Sequence, residues 1–216
     1  MLERTAADLP DVAVRTRVAF GDAAAALMAV GSEEDAELLV VGSRGRGPLA
    51  TVLLGSVSAR LAAEAPCPLI VVPSPDAAAR WLGRPPHSRL VCGVDDSVGA
   101  IGALRAAGAL AERLELELSL VHVDADGERE DAVGDLGALA VLAGEPVEIL
   151  RERTADPDAG LLVVGSRGRT SWHAALGSVS RALAATAPVP VMIVPPTARM
   201  LAVNDGAGPS VRHRAT

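Results

Sequence analysis

The sequence contains no lysine, and all 20 of its basic residues are arginine. That excludes Schiff-base chemistry on a lysine amine. It also excludes a G-x-x-x-x-G-K-[ST] phosphate loop, which needs the lysine. Aromatic residues make up only 1% of the 216 residues, so a core has to be built from Ala, Val and Leu. The two cysteines, Cys67 and Cys92, match neither a disulfide framework nor a metal spacing and read as small buried residues of a reducing compartment. No apolar run approaches ~18 residues, and Met1 to Thr5 lack a charged-then-apolar signal pattern. The expectation is a cytoplasmic chain with no membrane partner. A formal charge of −7 argues against nucleic acid as a partner, since a phosphate backbone calls for a basic face. His87, His122, His173 and His213 have no metal-ligand spacing, and no Ser-His-Asp or Cys-His set can be assembled. No carboxylate pair or Ser-Gly-Gly-x-Asp-Ser loop points to ATP cleavage. The chain is therefore expected not to be an enzyme, with no catalytic residue and no metal ligand.

What is present is one stretch, twice. Residues 38–73 read LLVVGSRGRGPLATVLLGSVSARLAAEAPCPLIVVP, and residues 161–195 read LLVVGSRGRTSWHAALGSVSRALAATAPVPVMIVP. Each copy opens with a continuous apolar run, Leu38–Val41 or Leu161–Val164, as a strand buried on both faces of a parallel sheet does. A Gly-Ser-Arg-Gly loop follows, then a short helix for which Ser56 or Ser178 suits the N-cap. A second apolar run closes the unit, Leu69–Val72 or Val191–Val194. A glycine-rich loop that leads from a strand into a helix N-terminus offers free backbone N–H groups and the positive end of the helix dipole to a phosphate. Glycines after a buried strand are also plain turn formers. Gly42, Gly45 and Gly47 run G-x-x-G-x-G, which is not the dinucleotide fingerprint.

The spacing Gly42-x2-Gly45-x9-Gly55-Ser56 resembles the nucleotide-binding signature of the universal stress protein family. The second copy, Gly165-x2-Gly168-x8-Gly177-Ser178, is one residue shorter and carries Trp172 and His173. The resemblance implies an α/β fold of tandem open parallel five-stranded sheets, adenine nucleotide alpha hydrolase-like, with strand order 3-2-1-4-5. It implies a stress-responsive regulator that binds ATP or AMP, or alternatively a partner-docking protein that binds no nucleotide. In nucleotide-binding members the aspartate ending the first strand holds adenine and ribose. Asp95 stands there, with Val123 on the neighbouring strand edge; Asp95 and Asp96 read equally as helix-capping acids. Arg44, Arg46, Arg167 and Arg169 flank the loops, either as phosphate partners or as solvated surface. The family associates through its last strand, so Leu69–Val72 and Val191–Val194 are expected to pair, between the domains or in a homodimer.

Along the chain, residues 12–19 alternate as a strand, and Asp22 caps a helix to about Val30. With the repeat, residues 1–73 would supply only strands 3, 4 and 5 of the family domain. Either the gene start lies upstream, or this half leans on the second half or on another chain. Residues 74–88 read as a linker with Trp81 as an anchor on a domain surface. The second domain, 89–196, opens with strand Arg89–Val94. A helix from Val98 to Leu114 follows, with Ile101, Leu104, Ala111 and Leu114 on one face, and then strand Leu116–Val123 with His122 in the core. A helix over 131–142, a third strand at Val147–Arg151 and no helix before Leu161 complete the expectation. Residues 197–216 read as a flexible tail.

Overall fold

The structure is a computed structural model that describes residues 13–43, 54–124, 134–136, 139–167 and 176–199. The tail beyond Arg199 and the loop residues Arg44, Gly45, Arg46, Gly168, Arg169, Trp172 and His173 lie outside the described residues. In the first half, Asp22 caps helix α1 (Ala23–Glu33) by accepting from Ala25 N at 2.8 Å. Strand β1 (Leu39–Gly42), helix α2 (Ser56–Glu64) and strand β2 (Leu69–Val72) follow. The segment read as a linker contains helix α3 (Pro75–Leu82), begun by Pro75, whose fixed φ suits a first helical turn. The second half holds β3 (Arg89–Val94), α4 (Val98–Arg113), β4 (Glu117–Asp124), β5 (Gly134–Leu136) and β6 (Leu139–Ala143). It ends with α5 (Pro146–Arg153), β7 (Ala159–Gly165), α6 (Ser178–Thr186) and β8 (Val191–Val194).

The eight strands among the described residues form one sheet in the order β1-β2-β8-β7-β3-β4-β6-β5. Within it β6, β4, β3, β7 and β8 are parallel neighbours, which is the 3-2-1-4-5 order expected for the second half. The two halves do not make separate sheets. β2 and β8 pair antiparallel, with Leu69 opposite Ile193 and Val71 opposite Val191, so the expected pairing of the last strands occurs within the chain. One face of the sheet carries a core drawn from both halves: Leu61, Leu69 and Val71 with Leu162, Leu183 and Ile193. Ion pairs from Arg113 to Glu37 and from Arg199 to Asp35 bind the edges of this junction.

Several expectations are corrected. Residues 13–20 belong to no strand and have no ladder partner among the described residues; Arg15 and Arg17 pair instead with Glu34 and Glu33 at the end of α1. The third strand of the second half is β6, not Val147–Arg151, and the 131–142 stretch holds β5 and the start of β6 rather than a helix. Gly144, at φ +138°, makes the turn, and Pro146 then starts α5, so a helix does precede β7. The buried face of α4 is the alanine face, Ala100, Ala103, Ala106, Ala107 and Ala111, whereas Ile101, Leu104 and Leu114 are exposed. Alanine lets the helix lie close to the sheet; larger side chains there would hold it off.

Candidate functional site

Both glycine loops are pinned by the same two hydrogen bonds. Gly55 N donates to Ser43 O at 2.9 Å and Gly177 N to Ser166 O at 2.8 Å, closing each loop across its base. Ser58 Oγ donates to Gly42 O at 2.8 Å and Ser180 Oγ to Gly165 O at 2.6 Å, tying the first turn of the helix to the end of the strand. The N-caps are therefore Gly55 and Gly177, and Ser56 and Ser178 stand at the first helical position with no side-chain capping bond. Glycine serves at the cap because the chain enters the helix through a backbone bond to the strand end rather than through a side-chain cap. Ser58 and Ser180 are in both copies of the repeat, and that was the one signal for their role.

In the second half the loop meets a second wall. β3 ends at Val94, which pairs with His122 of β4, so Asp95 and Val123 follow at the same level. Asp95 Oδ1 accepts from Ser97 N at 3.1 Å and from Ser97 Oγ at 2.5 Å. Ser97, rather than either aspartate, is the N-cap of α4, accepting from Ala100 N at 3.2 Å. Its hydroxyl also reaches Arg167 O at 3.4 Å. The contact is closest at two glycines. A Cβ on Gly165 would lie 2.9 Å from the Gly99 carbonyl, and a Cβ on Gly99 would lie 2.7 Å from Arg167 O. The first glycine of the repeated loop is thus required by the first turn of α4, and Gly99 is its partner. A glycine inside an alanine-rich helix was a weak trace of this contact, because it lowers helix propensity without obvious need.

The structure therefore brings Asp95, Val123, Gly165, Gly177 and Ser178 to the carboxyl ends of β3, β4 and β7. α4 packs on one face of the sheet and α6 on the other. The β3/β7 boundary is where the strand order reverses, the position at which open α/β sheets hold ligands. Two polar atoms at the loop's start, Ser166 Oγ and Arg167 Nε, are buried with no hydrogen-bond partner among the described residues. Gly42, Gly55 and Ser56 lie apart from this cluster, at the end of an outer strand with no neighbour corresponding to β3. Gly45 and Gly168 belong to the undescribed parts of the loops.

Elsewhere, Trp81 anchors the segment between the halves. Its indole N–H donates to Gly160 O at 3.0 Å and its ring stacks on His87 at 4.9 Å. His122 is buried in β4, as expected. Cys67 and Cys92 are both free and buried; burial pushes the Cys92 thiol up to about 12 and raises Cys67 as well, so neither is a ready nucleophile. No cluster of three or more His, Cys, Asp or Glu able to hold a metal occurs among the described residues. None of the described helices is long and apolar enough to cross a membrane.

An open, doubly wound α/β sheet with a glycine loop at its switch point defines the class. The family follows from comparison with known proteins. The model of the universal stress protein family matches residues 1–73 and 126–195. Universal stress protein Rv2005c of Mycobacterium tuberculosis is 32% identical over 210 residues, covering 84% of this chain and 69% of that protein. Rv2623 of the same organism is 29% identical, covering 79% and 65%. Among solved structures, a universal stress protein from Archaeoglobus fulgidus superposes with a TM-score of 0.64 at 23% identity, covering 90% of this chain and 77% of that one. The chain belongs to the universal stress protein family.

Proposed function

We propose that the chain is a stress-responsive regulator that binds an adenine nucleotide, ATP or AMP, in the β3/β7 crevice and acts by binding rather than by turnover. The observation that carries this reading is a pair of buried polar atoms, Ser166 Oγ and Arg167 Nε, that have no partner among the described residues, at the start of a loop whose far end is the N-terminus of α6. Phosphate oxygens accept from such groups, and a buried donor left without an acceptor costs on the order of 1–3 kcal/mol. Asp95 and Val123, level with each other at the neighbouring strand ends, would take the ribose and the base. Ser178, at the first helical position, and the backbone of Ser166, Arg167 and Gly177 would face the phosphates. The first-half loop, Gly42 to Ser56, lacks the β3 and α4 wall and so lacks the base side of the site. Family membership supports a role in the cytoplasmic stress response.

A second reading rests on a specific observation. Gly165 is already accounted for by its contact with Gly99, so part of the loop's glycine pattern exists for packing. On that reading the chain is a partner-docking stress protein with no nucleotide. Titrating ATP into the purified 216-residue chain by calorimetry separates the two. Micromolar binding that is lost in Gly177→Val, with the fold intact by circular dichroism, supports the regulator. Absence of heat and of thermal stabilisation by ATP and AMP supports the docking protein. Release of phosphate from ATP, abolished by Asp95→Ala, would overturn the non-enzymatic part of the proposal.

A further inference from the structure

Ser97 is bonded to both walls of the crevice. Its hydroxyl accepts from Ala100 N at 3.2 Å, which anchors it in the first turn of α4. A hydroxyl has one proton to give, and two oxygens lie within its reach, Asp95 Oδ1 at 2.5 Å and Arg167 O at 3.4 Å. The nearer is the carboxylate, and a charged acceptor holds the proton against a neutral carbonyl. Ser97 N donates to the same Oδ1 at 3.1 Å. Both donors therefore fall on one oxygen of Asp95. The other, Oδ2, has no hydrogen-bond partner among the described residues, and the side chain is only half-buried.

We propose that Ser97 is a positioning residue: it turns the carboxylate of Asp95 so that Oδ2 faces the crevice and selects a nucleotide carrying ribose hydroxyls over one without them. The proposal rests on the nucleotide-binding reading above and adds the residue that sets its selectivity. The χ2 torsion of an aspartate is broad and has no narrow well to fix the plane of its carboxylate. Two bonds from a residue anchored in a helix fix it instead. A ribose hydroxyl can then donate to Oδ2 in a charge-assisted bond, whereas a deoxyribose carbon has nothing to donate. Ser97 itself need not touch the nucleotide. Its hydroxyl lies beside Arg167 O, at the start of the glycine loop, and Gly99 of the same helical turn packs against Gly165. The orientation of Asp95 is thereby tied to the backbone that would meet the phosphates, so that ribose and phosphate contacts are held at one spacing.

Calorimetric titration of ATP and of dideoxy-ATP, which lacks both ribose hydroxyls, into the 216-residue chain and two variants tests this. Ser97→Gly removes the hydroxyl and keeps a good N-cap, since glycine costs a helix start little. Ser97→Thr keeps the hydroxyl. The unaltered chain should bind ATP at least about tenfold more tightly than dideoxy-ATP, the difference made by one hydrogen bond to a charged group. In Ser97→Gly the two affinities should draw level, through a loss of ATP affinity alone, and Ser97→Thr should restore the difference. A merely structural role for Ser97 would weaken both ligands equally in Ser97→Gly, and that result would overturn the proposal. Equal binding of the two ligands by the unaltered chain would also overturn it and leave the regulator reading standing. Binding of neither would remove both.

Discussion

Gly99 and Gly108 lie on the same helix and differ in what a methyl group would meet. At Gly108 nothing lies within 4 Å of the added Cβ; at Gly99 it would stand 2.7 Å from Arg167 O, a backbone atom of the loop. Replacing glycine by alanine inside a helix gains about 0.8–1 kcal/mol of propensity at either site. At Gly108 that gain should appear whole, as about 1 kcal/mol of added stability. At Gly99 it is opposed by overpacking, typically about 1–3 kcal/mol, because the oxygen belongs to the loop backbone and not to a flexible side chain. The two variants should therefore differ by about 2 kcal/mol, a gap of about 4–8 °C in melting temperature for a chain of this size. Urea denaturation of the pair, with equal slopes, measures it. If Gly99→Ala is as stable as Gly108→Ala, the close approach of α4 to the loop is wrong, and with it the reason given for Gly165. If the gap is found, Gly99→Ala should also weaken ATP binding while Gly108→Ala leaves it unchanged, since only the former moves the loop against Asp95.

Ser180→Ala removes the bond to Gly165 O and should cost about 0.5–1.5 kcal/mol by urea melting; Ser58→Ala, its counterpart on Gly42, should cost a similar amount without touching nucleotide affinity. Trp81→Ala loses the stack on His87 and the bond to Gly160 O, and should destabilise by about 2–3 kcal/mol, less than a fully buried tryptophan would. The Cys92 thiol, held up to about 12 by burial against an ordinary 9.0, stays protonated in the folded state while the unfolded chain ionises. The contribution of Cys92 to stability should therefore be constant below pH 9 and fall away between pH 9 and pH 12, and Cys92→Ala should remove that part of the decline. A folded protein whose Cys92 reacts rapidly with a thiol reagent at pH 8 would contradict the burial on which this rests.

The continuous apolar runs ahead of Gly42 and Gly165 made the strands legible, and the resemblance carried by the repeated loop supplied the order of the second half and the pairing of the last strands. What was not legible follows from composition. In α4 nearly every residue is Ala, Leu, Ile, Val or Gly, so apolarity has no period, and side-chain size rather than hydrophobicity selects the buried face. Ile101 and Leu104 look like core and stand outside it. Val147, Ile149 and Leu150 read as a strand because β-branched and apolar residues alternate there, yet Pro146 sets a helical first turn and Arg151 and Arg153 suit its end. At the site, Asp95 was found through the family pattern, whereas Ser97 and Gly99 were not. Their importance lies in contacts to Arg167 and Gly165, residues far along the chain, and no local pattern encodes such a contact.

The core that joins Leu61, Leu69 and Val71 to Leu162, Leu183 and Ile193 predicts that the two halves unfold in one transition, which calorimetry would show as a single peak. A ligand that binds only the β3/β7 crevice adds RT ln(1 + [L]/Kd) to the stability of the whole cooperative unit. Amide exchange in α2 and β2, which take no part in that crevice, should slow by the same factor as in β7. The first half would then act as a remote reporter of occupancy in the second, sensing it through shared burial and with no change of shape.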